Sequence, residues 1–167
     1  MDTRLHGNVW TFGNNINTDI ISPPQHMALS IAEAAPYCLA AVNPYFAEQV
    51  RPGDILVAGN NLGSGSSRET SPLTLKYLGI QAVVARSFAR IFYRNCINLG
   101  IPALSAPRAS EIRQGDALSI DIAQGIILNI TQQEIYPCTR LPDHIMAMIR
   151  AGGLVNYLRQ TGGRDAN

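Results

Sequence analysis

Lysine is almost missing from this 167-residue chain: of 13 basic residues, all but Lys76 are arginine. The planar guanidinium fork suits carboxylates, but genomic base composition produces the same bias and is the ordinary cause. Charge of one sign is missing as well. The 13 basic and 12 acidic residues give a formal net charge of +1 and are spread along the chain. That excludes the polyelectrolyte patch by which nucleic acid or an anionic membrane surface would be recognised. No eighteen apolar residues run together, and the opening Met1–His6 has no apolar segment of the kind found in secretory leaders. Neither a membrane span nor a leader is therefore expected, and the expected location is the cytoplasm. Cysteine is scarce: Cys38, Cys96 and Cys138 are far apart, odd in number and outside any CxxC spacing. Reduced thiols are expected, and no metal site on this chain, since such spacing cannot by itself ligate an iron–sulfur cluster.

What is present is a 46% apolar chain long enough to bury one core. No repeat, low-complexity stretch or linker divides it, so a single domain over residues 1–167 is expected, with the last five residues frayed. Short apolar blocks predict strands at Val9–Phe12, Ile55–Ala58, Ala82–Ala85, Ala117–Ile122 and Ile126–Ile130, the last two forming a hairpin across Ala123–Gly125. Helices are predicted over Leu39–Gln49, Phe88–Leu99, His144–Arg150 and Leu154–Arg159. For the second of these, Ser87 is the expected cap, Phe88, Ile91, Phe92, Cys96 and Leu99 the buried stripe, and Gly100 and Pro102 the stop. Interleaved strands and helices give an α/β fold with a mixed sheet flanked by helices.

The chemistry concentrates in Gly59-Asn-Asn-Leu-Gly-Ser-Gly-Ser-Ser-Arg-Glu69, which follows the strand Ile55–Ala58 and leads towards a helix. Glycines let the backbone approach a ligand closely, amide N–H groups and a helix N-terminus attract an anion, and Arg68 can grip a carboxylate bidentately. A purely structural reading competes, in which Ser66 and Glu69 form a capping box. In a third, Ser71 caps the helix with Pro72 at its first position, leaving residues 64–70 as a loop. The spacing fits neither a P-loop, since no lysine follows Gly65, nor a dinucleotide turn, since Arg68 stands where a third glycine is needed. No GxSxG elbow surrounds Ser66, and His6, His26 and His144 suggest no triad. A second polar cluster, Gly13 to Pro23, places Thr18, Asp19 and Ser22 within one turn. It is either an Asx-turn that fixes a loop or a partner for a catalytic hydroxyl.

Taken in order and spacing, Asn17-Thr-Asp-Ile-Ile-Ser-Pro23, Gly63-Ser-Gly-Ser-Ser-Arg-Glu69 and Ser87-Phe-Ala-Arg-Ile-Phe-Tyr-Arg-Asn95 resemble the small subunits of 3-isopropylmalate dehydratase and the swivelling fourth domain of aconitases. The resemblance runs over most of residues 7–130. It implies a swivelling β/β/α domain and a hydro-lyase that isomerises a hydroxy acid through a cis-unsaturated intermediate. It also implies a cysteine-rich large subunit as partner, carrying a four-iron, four-sulfur cluster that this chain does not bind. Carried over by position, Ser66 matches the base, which as an alkoxide removes a proton beside a carboxylate. Ser67 and Arg68 match substrate ligands, and Thr18, Asp19 and Ser22 match an active-site cluster. An ionised serine needs surroundings that favour the anion, which the glycine-rich turn and Arg68 supply.

The chain departs from the family where Ser64 replaces the usual Cys or Glu and Thr70 the frequent His. No Lys or Arg lies between Arg4 and Arg51, where aconitases carry a cation. The loop that distinguishes substrates in the family corresponds to residues 24–31, with Gln25, His26, Met27 and Leu29 as candidate specificity residues. A tricarboxylate would leave a charge unpaired there, whereas Met27, Leu29 and Ile31 suit an isopropyl or methyl arm. His26, if protonated, would substitute for the missing cation. The expected activity is therefore isomerisation of isopropylmalate in leucine biosynthesis. The alternatives are dehydration of methylmalate, dimethylmalate or homocitrate, or a non-catalytic anion-binding regulatory module.

Overall fold

The computed structural model describes residues 4–66 and 68–165. In chain order the elements are β1 (Arg4–Thr11), α1 (Thr18–Ile21), α2 (Ile31–Ala34), α3 (Phe46–Gln49), β2 (Ile55–Ala58), α4 (Thr70–Tyr77), β3 (Ala82–Ala85), α5 (Arg90–Asn98), β4 (Ala103–Ser105), β5 (Ala117–Asp121), β6 (Ile126–Asn129), β7 (Glu134–Pro137), α6 (Asp143–Arg150) and α7 (Leu154–Asp165). The strands form one mixed seven-stranded sheet in the order β4-β3-β2-β1-β5-β6-β7. From β1 to β4 the pairing is parallel, with α4 and α5 as crossovers, and from β1 through β7 it is antiparallel. This is the α/β class with a helix-flanked mixed sheet that the sequence predicts.

The hydropathy of each strand follows from what covers it. All four residues of β2 and of β3 are buried. Leu56, Ala58, Val83 and Ala85 pack with the helices, while Ile55, Val57, Ala82 and Val84 pack with Leu118, Ile120, Ile127 and Tyr136 of the antiparallel half. The antiparallel strands thus cover the second face of the parallel ones, giving layers of β, β and α, and central strands buried on both sides read as continuous apolar runs. In β6, by contrast, burial alternates residue by residue, as one solvated face requires.

Several predicted boundaries are corrected. β1 begins at Arg4, not Val9, because Arg4–Asn8 pair with β5. The helix predicted over Leu39–Gln49 is only the single turn of α3: Leu39 takes a left-handed φ of 58°, and Pro44 blocks a continuous helix across the segment. α5 starts at Arg90 with no side-chain cap, and Ser87 Oγ instead accepts a hydrogen bond from the Asn61 amide at 2.8 Å. Ile91, assigned to the buried stripe, is 51% exposed, and Ile97 is buried in its place. α7 runs to Asp165, past the predicted end at Arg159; Ala166 and Asn167 lie outside the described residues. Strands β4 and β7 and helix α2 had no counterpart in the hydropathy reading.

Below β5 a buried polar knot fastens the antiparallel half. Asp116 accepts hydrogen bonds from the Arg113 amide at 2.8 Å, Asn129 Nδ2 at 2.8 Å and Gln132 Nε2 at 2.7 Å. Burial works to raise its carboxyl pKa, but the Asn129, Arg113 and Gln132 donors outweigh it and hold the value below the ordinary 3.8. A depressed folded value means that this contribution is present above about pH 4 and is lost as pH falls through the folded pKa. Asp116→Ala, which leaves the buried Asn129 Nδ2 only the long 3.5 Å bond to the Tyr136 hydroxyl, is expected to cost about 2–3 kcal/mol at pH 7 in a denaturant titration. The gap to wild type should narrow below about pH 3.8.

Candidate active site

Three loops leave the carboxyl ends of β1, β2 and β3 on the same edge of the sheet, where open α/β sheets bind their ligands. A backbone braid ties them together. The Asn15 amide donates to the Asn60 carbonyl at 2.8 Å, Gly63 to Ile16 at 2.7 Å, and Thr18 to Ser64 at 2.9 Å. On the other side Leu62 donates to Ser87 at 3.1 Å and Ala89 to Leu62 at 2.9 Å. The three motifs of the sequence are therefore one surface. Gly63 and Gly65 take φ values of 85° and 96°, the left-handed region that glycine enters freely. At Gly63 a Cβ would also sit 2.0 Å from Cγ of Phe92, so only glycine lets the turn lie against α5.

Between this turn and α5 lies a cleft of about 260 Å³ lined by Thr18, Ser66, Arg68, Arg90, Phe92 and Asn95, among others. Ser66 is an exposed lining residue of this cleft, and its backbone carbonyl accepts the Thr18 hydroxyl proton at 2.9 Å. The capping-box reading of Ser66 and Glu69 does not hold: α4 has Glu69 as its cap position and no side-chain cap bond. Nor does Ser71 cap it, since the helix already starts at Thr70 and Ser71 is buried within its first turn.

Arg68 is held rather than free. Its Nη2 contacts Asp19 Oδ1 at 3.0 Å, its Nη1 donates to the Ser22 carbonyl at 3.3 Å, and only 16% of its side chain is exposed. Asp19 is thus engaged by the arginine. The cluster of Thr18, Asp19 and Ser22 is the short helix α1 and its end, capped by Asn17, whose side chain accepts from the Ile20 amide at 2.9 Å. The Asx motif is therefore present, and the same turn holds Arg68.

Beside Arg68 the residues around Ser22 form a small pocket lined by Ile21, Ser22, His26, Met27, Leu29, Ile31 and Thr70, among others. None of its lining residues is Lys or Arg. Gln25 lies instead in a wider groove with Asn17, Asp19 and Tyr37, and the His26 ring stacks on Tyr37 with centroids 3.7 Å apart. Ser67 lies outside the described residues. The sequence offers Ser71 only as a helix cap and gives Arg90 and Asn95 no place in the site. Arg90 and Asn95 could have been found, because both stand in the third motif.

The thiols of this chain do not fit a cluster. Cys38 and Cys96 are buried in the helical core and Cys138 packs on the opposite side of the sheet. Burial pushes the Cys38 thiol up to about 12 and Cys96 above the ordinary thiol range; Cys138 is raised to about 11 by burial and then by the Asp121 charge. Thiolates are the ligating form, so these residues are poorly suited to ligation. Among the described residues no three His, Cys, Asp or Glu side chains gather into a possible metal site. No helix among them is long and apolar enough to cross a membrane.

Residues 15–109 match the aconitase C-terminal domain family. The chain is 46% identical to a 3-isopropylmalate dehydratase small subunit of Nautilia profundicola, over 93% of this chain and 95% of that protein. It is 43% identical to a methanogen homoaconitase small subunit of Methanothermobacter thermautotrophicus, over 96% and 94%. The crystal structure of a 3-isopropylmalate dehydratase from Methanocaldococcus jannaschii superposes with a TM-score of 0.91, at 37% identity and 98% coverage of both chains. The chain belongs to the aconitase C-terminal domain family and, within it, to the 3-isopropylmalate dehydratase small subunits.

Proposed function

We propose that this chain is the small subunit of a two-subunit, cytoplasmic hydro-lyase that interconverts 2- and 3-isopropylmalate by removing and re-adding water. The whole of residues 1–167 would act as one swivelling domain. The observation that carries the reading is the meeting of Ser66, Thr18 and Arg68 in one cleft with an apolar pocket alongside. Arg68, fixed by Asp19 and the Ser22 carbonyl, grips a substrate carboxylate. Ser66 Oγ, ionised in the field of that arginine and the turn amides, takes the proton from the carbon beside the carboxylate. The C–H electron pair becomes the second bond of the alkene as hydroxide departs from the neighbouring carbon. Ser67 and Thr18 complete the ligand shell. A four-iron, four-sulfur cluster on a large subunit supplies the Lewis acid for the departing hydroxyl.

Met27, Leu29 and Ile31 favour an apolar arm, and the absence of Lys or Arg from the pocket lining disfavours a third carboxylate, hence citrate and homocitrate. The chain alone is expected to be colourless and inactive, and mixing it anaerobically with its large subunit to give dehydration of isopropylmalate, followed by absorbance of the unsaturated product. Turnover by the chain alone would refute the two-subunit reading. A correctly assembled, cluster-loaded complex with no turnover of any hydroxy acid would favour the non-catalytic alternative.

A further inference from the structure

Ser71 has no part in the chemistry of the cleft, yet it is fully buried and its hydroxyl donates towards two site atoms: Ser22 Oγ at 3.1 Å and the Thr18 carbonyl at 3.4 Å. It stands in the first turn of α4, three residues beyond Arg68, and so ties that helix to the α1 turn that carries Thr18, Asp19 and Ser22. Ser22 is the junction between two functions. Its carbonyl accepts from Arg68 at 3.3 Å, its amide donates to Thr18 at 2.8 Å, and it lines the apolar pocket with Met27 and Leu29. The place of Ser22 therefore sets the spacing between the carboxylate grip and the pocket for the substituent.

We propose that Ser71 is a positioning residue for substrate discrimination: by holding Ser22 it locks the distance between the Arg68 grip and the arm pocket. Recognition of the substituent is thereby tied to recognition of the carboxylate. Without the Ser71 hydroxyl, Ser22 keeps its backbone bonds but its side chain loses the partner that fixes it against α4, and the two subsites shift relative to each other. The inference rests on the isopropylmalate reading.

The test is Ser71→Ala in the two-subunit enzyme, with kcat and KM measured separately for isopropylmalate and citramalate. KM for isopropylmalate is expected to rise about tenfold with kcat within about twofold, and the wild-type preference between the substrates to shrink at least about threefold. A purely structural role would lower the active fraction, scaling kcat equally for both substrates with KM and preference unchanged, and that result would overturn the proposal. Ser22→Ala probes the same link from the other side, since it leaves Ser71 the Thr18 carbonyl as acceptor. The double variant should be no worse than the more damaged single variant within about twofold, whereas multiplicative effects would refute coupling. Should Ser71→Ala fail to fold, the near-isosteric Ser71→Cys, whose thiol is only a weak donor, replaces it: a raised KM with reduced preference supports the proposal and unchanged constants refute it. A wild-type complex that turns over neither substrate would sink the isopropylmalate reading and this inference with it. An active wild type beside an unaltered Ser71→Ala sinks the inference only.

Discussion

Ser66→Ala is expected to lower turnover of the reconstituted complex by about a thousandfold or more, with subunit assembly and thermal unfolding unchanged. The expectation of an intact fold is structural. Ser66 is exposed, its side chain caps no helix, and the bond it makes to Thr18 uses its backbone carbonyl, which alanine retains. What is lost is the hydroxyl that takes the proton. Normal turnover would remove Ser66 from the chemistry. Lost turnover together with a lowered unfolding temperature would assign it a structural role that the absence of a side-chain cap on α4 argues against.

The second large effect is at Arg68. Arg68→Lys keeps the charge but not the fork, which holds Asp19 and the Ser22 carbonyl through separate nitrogens. A compact ammonium cannot keep both contacts and still offer a bidentate face to a carboxylate. KM is therefore expected to rise about thirty- to a hundredfold, corresponding to about 2–3 kcal/mol for a charge-assisted pair, with a smaller loss in kcat. Because Asp19 is 53% exposed at its side chain, it is solvated when the arginine is shortened, and the fold should survive. Steady-state kinetics across a range of substrate concentrations separate the two constants. An unchanged KM would mean that Arg68 serves only to hold the α1 turn.

The parallel half of the sheet was legible because β2 and β3 are apolar on both faces and bounded by turn residues, a pattern that short buried strands produce and solvated elements do not. The antiparallel half was legible only in its hairpin. β4 has three residues between Pro102 and Ala106-Pro107, and β7 carries Glu134 and ends on Pro137, so neither presents a periodic signal. Arg4–Leu5-His6 reads as polar chain start, and only pairing with β5 makes it strand. The failed helix at Leu39–Gln49 shows the opposite error: apolar spacing was present, but a left-handed residue and Pro44 broke it.

At the site the order of the three motifs was visible in the chain, but their convergence was not. It depends on β1, β2 and β3 being adjacent and parallel, and on backbone bonds such as Gly63 to Ile16 that no residue pattern encodes. The local alternatives at Ser66 and Ser71 were separated by one fact, the start of α4 at Thr70, which shifts both serines out of cap positions. Ser71 reads as a cap because a serine beside proline commonly serves as one, whereas here its hydroxyl turns inward to Ser22.

Substrate choice is decided by a competition assay in which the anaerobically reconstituted complex is offered isopropylmalate, citramalate, homocitrate and citrate. Isopropylmalate should show the highest kcat/KM and the two tricarboxylates should be poor substrates, because no Lys or Arg lines the pocket formed by Met27, Leu29 and Ile31. A preference for homocitrate or citrate would contradict this and assign residues 24–31, with His26, a charged substituent instead of an apolar one.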